Sequence, residues 1–139
     1  MHQVIGKALQ SFGVPIETGL CRSEQKLGPV LCFQHHTPGD LILKGHKIAG
    51  SAQRKQRGHL LQHGGLLLAQ SPYTPDLAGL KELAGFEKSI PELSEAIVRE
   101  LLRDAGWNLQ KDEWTLIERR RTRELVESKY RTDEWNLKR

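Results

Sequence analysis

"KGHKIAGSAQRKQRGHLLQHGGLLLAQ", Lys44 to Gln70, is the stretch whose reading decides the fold. Two β-type runs, "HKIAGSAQR" and "HLLQHGGLLLA", are set off by the turn candidates "KGH" and "RKQRG". With "PVLCF" and "DLILK" just upstream, Gly28 to Gln70 is predicted to form an antiparallel meander. Side chains alternate across a strand. That puts Lys47, Ala49, Ser51 and Gln53 on one face and Ile48, Gly50, Ala52 and Arg54 on the other. The lysine's face is then nearly bare. Glycine inside a strand usually marks close approach by a ligand or another backbone. A cation beside such a strip is placed to steady an anionic or carbonyl oxygen lying flat on the sheet. A weakly packed hairpin with a surface lysine accounts for the same spacing.

Helical patterns flank the meander. Val4, Ile5, Ala8, Leu9 and Phe12 recur at helical spacing and Gly13 follows as a stop, which predicts a short amphipathic opening helix. "SPYTPDLAGL" reads as a loop because Pro72 and Pro75 oppose regular structure. Ser89 and Pro91 suit a helix start, Leu93, Ile97, Leu101 and their neighbours Val98 and Leu102 form an apolar stripe, and Gly106 closes it. Thr115 followed by Glu118 has capping-box spacing, so a last helix is expected from Leu116 to about Tyr130. It carries "RRRTR".

A chain of 139 residues supports one core, and a single domain over residues 1–139 is expected. The sequence shows no long apolar run and no secretory signal, which points to a cytoplasmic protein with no membrane span. Cys21 and Cys32 are therefore expected as free thiols. A net charge of +4 favours acidic partners. The residues raise two other chemistries. Cys32, His35 and His36 offer zinc ligands if a fourth joins them, whereas His59 and His63 would share one face only in a helix, so no metal site is assigned. "RKQRG" and "ERRRTR" raise nucleic acid as a partner, but Glu118, Glu124 and Glu127 interleave with the second run as on a solvated helix face.

"GHKIAGSAQR" at Gly45–Arg54, "LQHGGLLL" at Leu61–Leu68 and "ESKYRTDEWN" at Glu127–Asn136 resemble, in this order, the signatures of the lipoate-protein ligase A superfamily. That superfamily includes ATP-dependent lipoate ligases and octanoyl or lipoyl transferases. The resemblance covers essentially the whole chain and corresponds to the C-terminal part of the family's catalytic domain. It implies an α+β fold, a mainly antiparallel sheet flanked by helices, related to biotin ligases and class II synthetase cores and incomplete here. A complementing N-terminal half or a homo-oligomer is the expected means of completing it.

The same resemblance implies roles. Lys47 matches the lysine that contacts the acyl carbonyl and, in ligases, the phosphate of the acyl-adenylate. Gly50, Ser51 and Ala52 of the signature, with His63 and Gly64 of "QHGG", are the implied substrate-binding positions. Asp40 matches an acidic position near nucleotide and metal in ligases, and a turn aspartate explains it equally. Cys32 stands where the transferase branch carries a nucleophile that takes the acyl group as a thioester, and a small buried hydrophobe is its bland alternative. The implied function is transfer of an octanoyl or lipoyl group, through that thioester, to the lysine of a lipoyl carrier domain of the 2-oxoacid dehydrogenase or glycine-cleavage systems. Acyl carrier protein is the implied donor. The alternatives are an ATP- and magnesium-dependent ligase and a non-catalytic member of the family.

Overall fold

The computed structural model describes residues 1–16, 25–26 and 31–138. Cys21 and the Pro29–Val30 start of "PVLCF" lie outside them. The described chain divides into two compact units, Met1–Trp107 and Asn108–Arg139.

In the first unit, α1 (His2–Ser11) is the amphipathic helix read from its spacing. It buries Val4, Ala8 and Leu9, and Gly13 at φ 80° ends the segment. Three strands follow as an antiparallel sheet in the order β3 (Leu41–Leu43), β4 (His46–Gln56) and β5 (His59–Leu66). Each connection is a two-residue turn with both φ angles positive, Lys44 at 49° and Gly45 at 80°, then Arg57 at 49° and Gly58 at 79°. Such turns match the right-handed twist of the strands and need glycine, which is why "KG" and "RG" are legible as hairpin ends. A two-residue ladder pairs β1 (Gln25–Lys26) with β2 (His35–His36).

The segment "LCFQ" departs from the expected strand. Cys32–Gln34 forms a 3-10 turn, closed by the Gln34 amide donating to Leu31 O at 2.8 Å. A run of a few apolar residues does not by itself separate a strand from a helical turn.

A second departure bears on function. Between β3 and β4 the register slips by one residue, Leu41 facing Ala49 while Ile42 faces Lys47, so Ile48 is an extra residue bulged out of the ladder. Ile48 and Ala49 are consecutive, yet both enter the core at 0 % and 1 % exposure. The bulge overturns the simple alternation read from the sequence. Cross-strand partners share a face, so Lys47 lies with Ile42, Gly50 and Gly65, opposite the face of Ala49, Leu41 and Leu66.

The Ala49 face carries the core. Leu41, Leu43, Ile48 and Ala49 meet Leu9 of α1, Leu80 of α2 (Leu80–Ala84), Phe86, and Leu93 of α3 (Ile90–Ala105). Leu9, Ile48 and Leu80 are fully buried, each worth roughly 1.5–3 kcal/mol of apolar transfer. α2 begins where the predicted "SPYTPDLAGL" loop ends. α3 starts after Ser89 with Pro91 in its first turn and ends at Gly106 in the left-handed conformation, as its sequence predicts, and the structure adds a Ser89–Glu92 capping box. Together these elements make an α+β arrangement with helices against an antiparallel sheet.

The second unit begins its helix α4 (Leu116–Leu125) at the Thr115–Glu118 capping box. The helix runs on through a π-helical turn, Val126–Tyr130, so its end agrees with the expected one. A short α5 (Asp133–Asn136) follows. In the π-turn and α5, Lys129 Nζ lies 4.4 Å from the Trp135 ring centre and Tyr130 meets that ring edge-on at 5.1 Å. Among the described residues no helix is long and apolar enough to cross a membrane.

Candidate functional site

The site forms where the segment Leu31–Asp40 crosses the Lys47 face of the sheet. "TPGD" shapes it: the Asp40 amide donates to Thr37 O at 3.0 Å, with Pro38 and Gly39 (φ 99°) at the turn's centre. This is the arrangement that a Pro-Gly pair favours. The Asp40 carboxylate turns back on its own loop, Oδ2 accepting from the Thr37 amide at 2.8 Å and from Thr37 Oγ1 at 3.1 Å. The turn reading of Asp40 thus holds, and the turn aims the carboxylate at a cation.

That cation is Lys47, whose Nζ lies 2.7 Å from Asp40 Oδ2. Its ammonium also donates to His35 O at 2.9 Å and to Cys32 O at 3.2 Å. An ammonium has three N–H bonds, and these three acceptors engage them all. The Phe33 ring centre lies 5.6 Å from the same nitrogen. Lys47 therefore ties the Cys32 turn to the sheet.

The small residues answer the question raised by the strip. A Cβ on Gly50 would come within 2.5 Å of Lys47 Cε and 2.9 Å of its Nζ, so the bare position makes room for the lysine itself. A Cβ on Gly65, paired with Gly50, would stand 3.2 Å from the Phe33 ring. The approach predicted for a ligand is made here by Lys47 and Phe33.

Of the residues singled out by sequence, Lys47, Asp40, Gly50 and the backbone of Cys32 come together. Cys32 itself is exposed. Ala52 and His63 are paired farther out along the same face. Ser51 and Gly64 pair on the opposite face, where with Gln62 they line a cavity of about 200 Å³ against Met1, Ile5 and Ile97. Gly64 has its own reason to lack a side chain, since a Cβ would meet Gly50 O at 2.4 Å. His59 and His63 share a face of β5, but four residues of strand separate them by roughly 13 Å. Among the described residues no three His, Cys, Asp or Glu side chains converge on a metal-sized site.

Sequence reasoning passes over Phe33 and Asp76, and it raises His36 only as a candidate zinc ligand beside Cys32 and His35. A cavity of about 390 Å³ opens beside Lys47, walled by Phe33, His36, His46, Asp76 and Leu77. His36 is buried at 5 % exposure. Burial chiefly lowers its pKa from the ordinary 6.5, Asp40 pulls it up, and Lys47 and His46 push it down. The "HH" pair carries a signal for His36; Asp76 carries none, being far away in sequence and in a proline-rich loop.

Residues 1–102 match the family model described as the lipoyl protein ligase A/B catalytic domain. Among curated proteins, the chain is 32% identical over 132 residues to an octanoyltransferase LipM of Geobacillus kaustophilus, a match covering 78% of this chain and 47% of that one. The chain spans about half the length of the curated relatives it matches. Among solved structures it resembles a lipoate-protein ligase A bound with ATP, with a TM-score of 0.74 at 23% identity over 97% of this chain and 56% of the other. It also resembles a bi-partite lipoate protein ligase studied with its E2 lipoyl domain from Thermoplasma acidophilum, with a TM-score of 0.67 at 22% identity over 98% of this chain and 55% of the other. These two likenesses show the fold.

Proposed function

The chain belongs to the lipoyl protein ligase A/B catalytic-domain family, and from that premise we propose that it transfers an octanoyl or lipoyl group to the lysine of a lipoyl carrier domain through a thioester on Cys32. The observation that carries the reading is the contact between Lys47 and the Cys32 turn, 3.2 Å from Nζ to the Cys32 carbonyl. The exposed thiol and the cation sit on one loop-and-strand unit.

In the first half-reaction the Cys32 thiolate attacks the carbonyl carbon of a thioester donor, the donor's C–S bond breaks, and the carrier's sulfur leaves as a thiolate that takes up the proton Cys32 gave up. In the second, the acceptor lysine's neutral amine attacks the Cys32 thioester, an amide forms, and the Cys32 thiolate is released as the amine loses a proton. Both steps build charge on the carbonyl oxygen. Lys47 stabilises that oxyanion, the substrate oxygen taking the place of Cys32 O, the longest of the ammonium's three bonds. Asp40 serves as the counter-ion that holds Nζ in position. Octanoyl carrier protein is the donor. The acceptor reading draws support from the bi-partite neighbour, a lipoate protein ligase that has an E2 lipoyl domain of its own.

The second reading, ATP- and magnesium-dependent adenylation, rests on the ATP-bound structural neighbour. In it Asp40 would serve nucleotide and metal. The thioester reading is favoured because Asp40 Oδ2 is already taken by Lys47 and by both Thr37 donors.

Intact-protein mass spectrometry separates them. The protein in its cellular assembly, incubated with octanoyl carrier protein, should gain one acyl mass that hydroxylamine removes and that Cys32→Ser lacks, and onward transfer should need no ATP. Strict ATP dependence, no adduct and full activity in Cys32→Ser would establish the ligase instead.

A further inference from the structure

Between Asp40 and Asp76 the chain has no acidic residue but five cations, Lys44, Lys47, Arg54, Lys55 and Arg57. Two of these are engaged: Lys47 with Asp40, and Lys44 with Leu83 O at 2.7 Å. The other three crowd the end of the β4–β5 hairpin, where the tight Arg57–Gly58 turn brings them together. Among the described residues none of the three joins an ion pair. Every residue from Ser51 to Leu61 is exposed. Two are leucines, Leu60 and Leu61, 61 % and 63 % exposed and paired with Lys55 and Arg54. A hollow of about 590 Å³ opens among Arg54, Arg57, Leu60 and Leu61.

Unneutralised cations around exposed leucines make a surface suited to an acidic protein. Apolar anchors supply affinity, and the surrounding charge steers and orients the partner. Nucleic acid fits less well. The tip's one ring is the His59 imidazole, and it has no Phe, Tyr or Trp platform on which successive bases would stack.

We propose that Arg54 and Arg57, around the hollow that Leu60 and Leu61 help to line, dock the acidic carrier protein that delivers the acyl group. This rests on the thioester-transfer reading. Arg54 lies on the same face of β4 as Lys47, seven residues along the strand, or roughly 23 Å. A carrier that presents its acyl group on a long flexible arm reaches the reacting centre across that span. A lipoyl domain, whose acceptor is one lysine side chain, has to approach more closely. The tip therefore serves the donor.

The test pairs binding with chemistry. Binding of fluorescently labelled octanoyl carrier protein is titrated against the wild-type assembly and against Arg54→Glu/Arg57→Glu, and each is also acylated with octanoyl-pantetheine, a thioester with no carrier. The expected result is carrier binding roughly ten- to hundredfold weaker in the variant and weakened by salt in the wild type, with unchanged acylation by the small thioester and an unchanged melting temperature. Equal binding by variant and wild type, or no binding by the wild type, overturns the proposal. So does equal loss of acylation from both donors. Tighter binding of a DNA duplex or RNA strand, abolished by the same substitutions, would make the tip a nucleic-acid surface and overturn it too. If the carrier binds as proposed but neither donor acylates Cys32, the docking surface stands and the thioester reading falls.

Discussion

Lys47 and Asp40 form an ion pair at 2.7 Å whose side chains retain 9 % and 4 % exposure, and the loop bearing Cys32 hangs from the same ammonium. Taking both charges out of water costs several kcal/mol per ion, and only their mutual attraction and the remaining hydrogen bonds offset it. Here those bonds are complete. Asp40 has Thr37 as well as Lys47, and Lys47 has two carbonyls as well as Asp40. Among the described residues no buried side-chain polar atom lacks a partner.

Lys47→Ala should therefore lower stability as well as acyl transfer, by about 3–5 kcal/mol, because it leaves Asp40 buried without its cation. Asp40→Asn combined with Lys47→Met should recover much of that loss while remaining inactive. Urea unfolding of the wild type, both single variants and the double variant checks it. Strictly additive single effects would show that the two residues are not coupled.

His36 makes stability depend on pH. Its folded pKa lies below 6.5, with burial as the main cause. The unfolded chain therefore takes up a proton near pH 6.5 that the folded chain resists. The contribution of neutral His36 is fully present above 6.5 and is lost as pH falls from there through the folded value. The urea midpoint should drop between about pH 7.5 and about pH 5.5, and His36→Gln should flatten the drop. An unchanged slope in that variant would assign the pH dependence to other groups.

What is legible in the sequence follows from local physics. Lys44–Gly45, Arg57–Gly58, Ser89 with Pro91, and Thr115–Glu118 each declare a turn or helix start within a few residues, and each forms where read. The side on which Lys47 stands is not legible. One bulged residue, Ile48, reverses it, and a bulge is set by the partner strand, which periodicity does not see. The Cys32 turn reads as strand for a similar reason: its conformation depends on Lys47 holding the Cys32 and His35 carbonyls from the neighbouring sheet. Asp76 reaches the cavity only through tertiary structure.

The caps themselves are measurable. Ser89 Oγ accepts from the Glu92 amide at 3.4 Å, while the Glu92 carboxylate accepts from Ser89 N at 2.9 Å and from Ser89 Oγ at 2.7 Å. α3 brings Leu93 and Ala96 into the core, so loosening its first turn is felt by the whole unit. Ser89→Ala should cost about 1 kcal/mol of stability with turnover unaffected, and Ser89→Gly only a few tenths. Chemical denaturation of the two variants checks this, and equal losses would mean that the cap bond is not what Ser89 contributes.

Gly50→Ala probes the site without altering a charge. The new methyl group would lie 2.5 Å from Lys47 Cε, 2.9 Å from Nζ and 3.2 Å from Asp40 Oδ1. The obstacle is the far end of a flexible side chain, which is able to swing aside. The predicted stability loss is accordingly modest, about 1–3 kcal/mol. The loss of acyl transfer should be much larger, because an ammonium shifted away from the Cys32 carbonyl, though still paired with Asp40, no longer sits where the oxyanion forms. Gly64→Ala supplies the contrast. Its methyl group would meet the backbone oxygen of Gly50 at 2.4 Å, an obstacle that moves only if the strand moves. Gly64→Ala should therefore have the larger effect on stability, and Gly50→Ala the larger effect on turnover per unit of stability lost. Melting temperature and transfer rate measured side by side decide the matter. Wild-type turnover in a Gly50→Ala protein that folds normally would show that the placement of Lys47 does not govern the reaction.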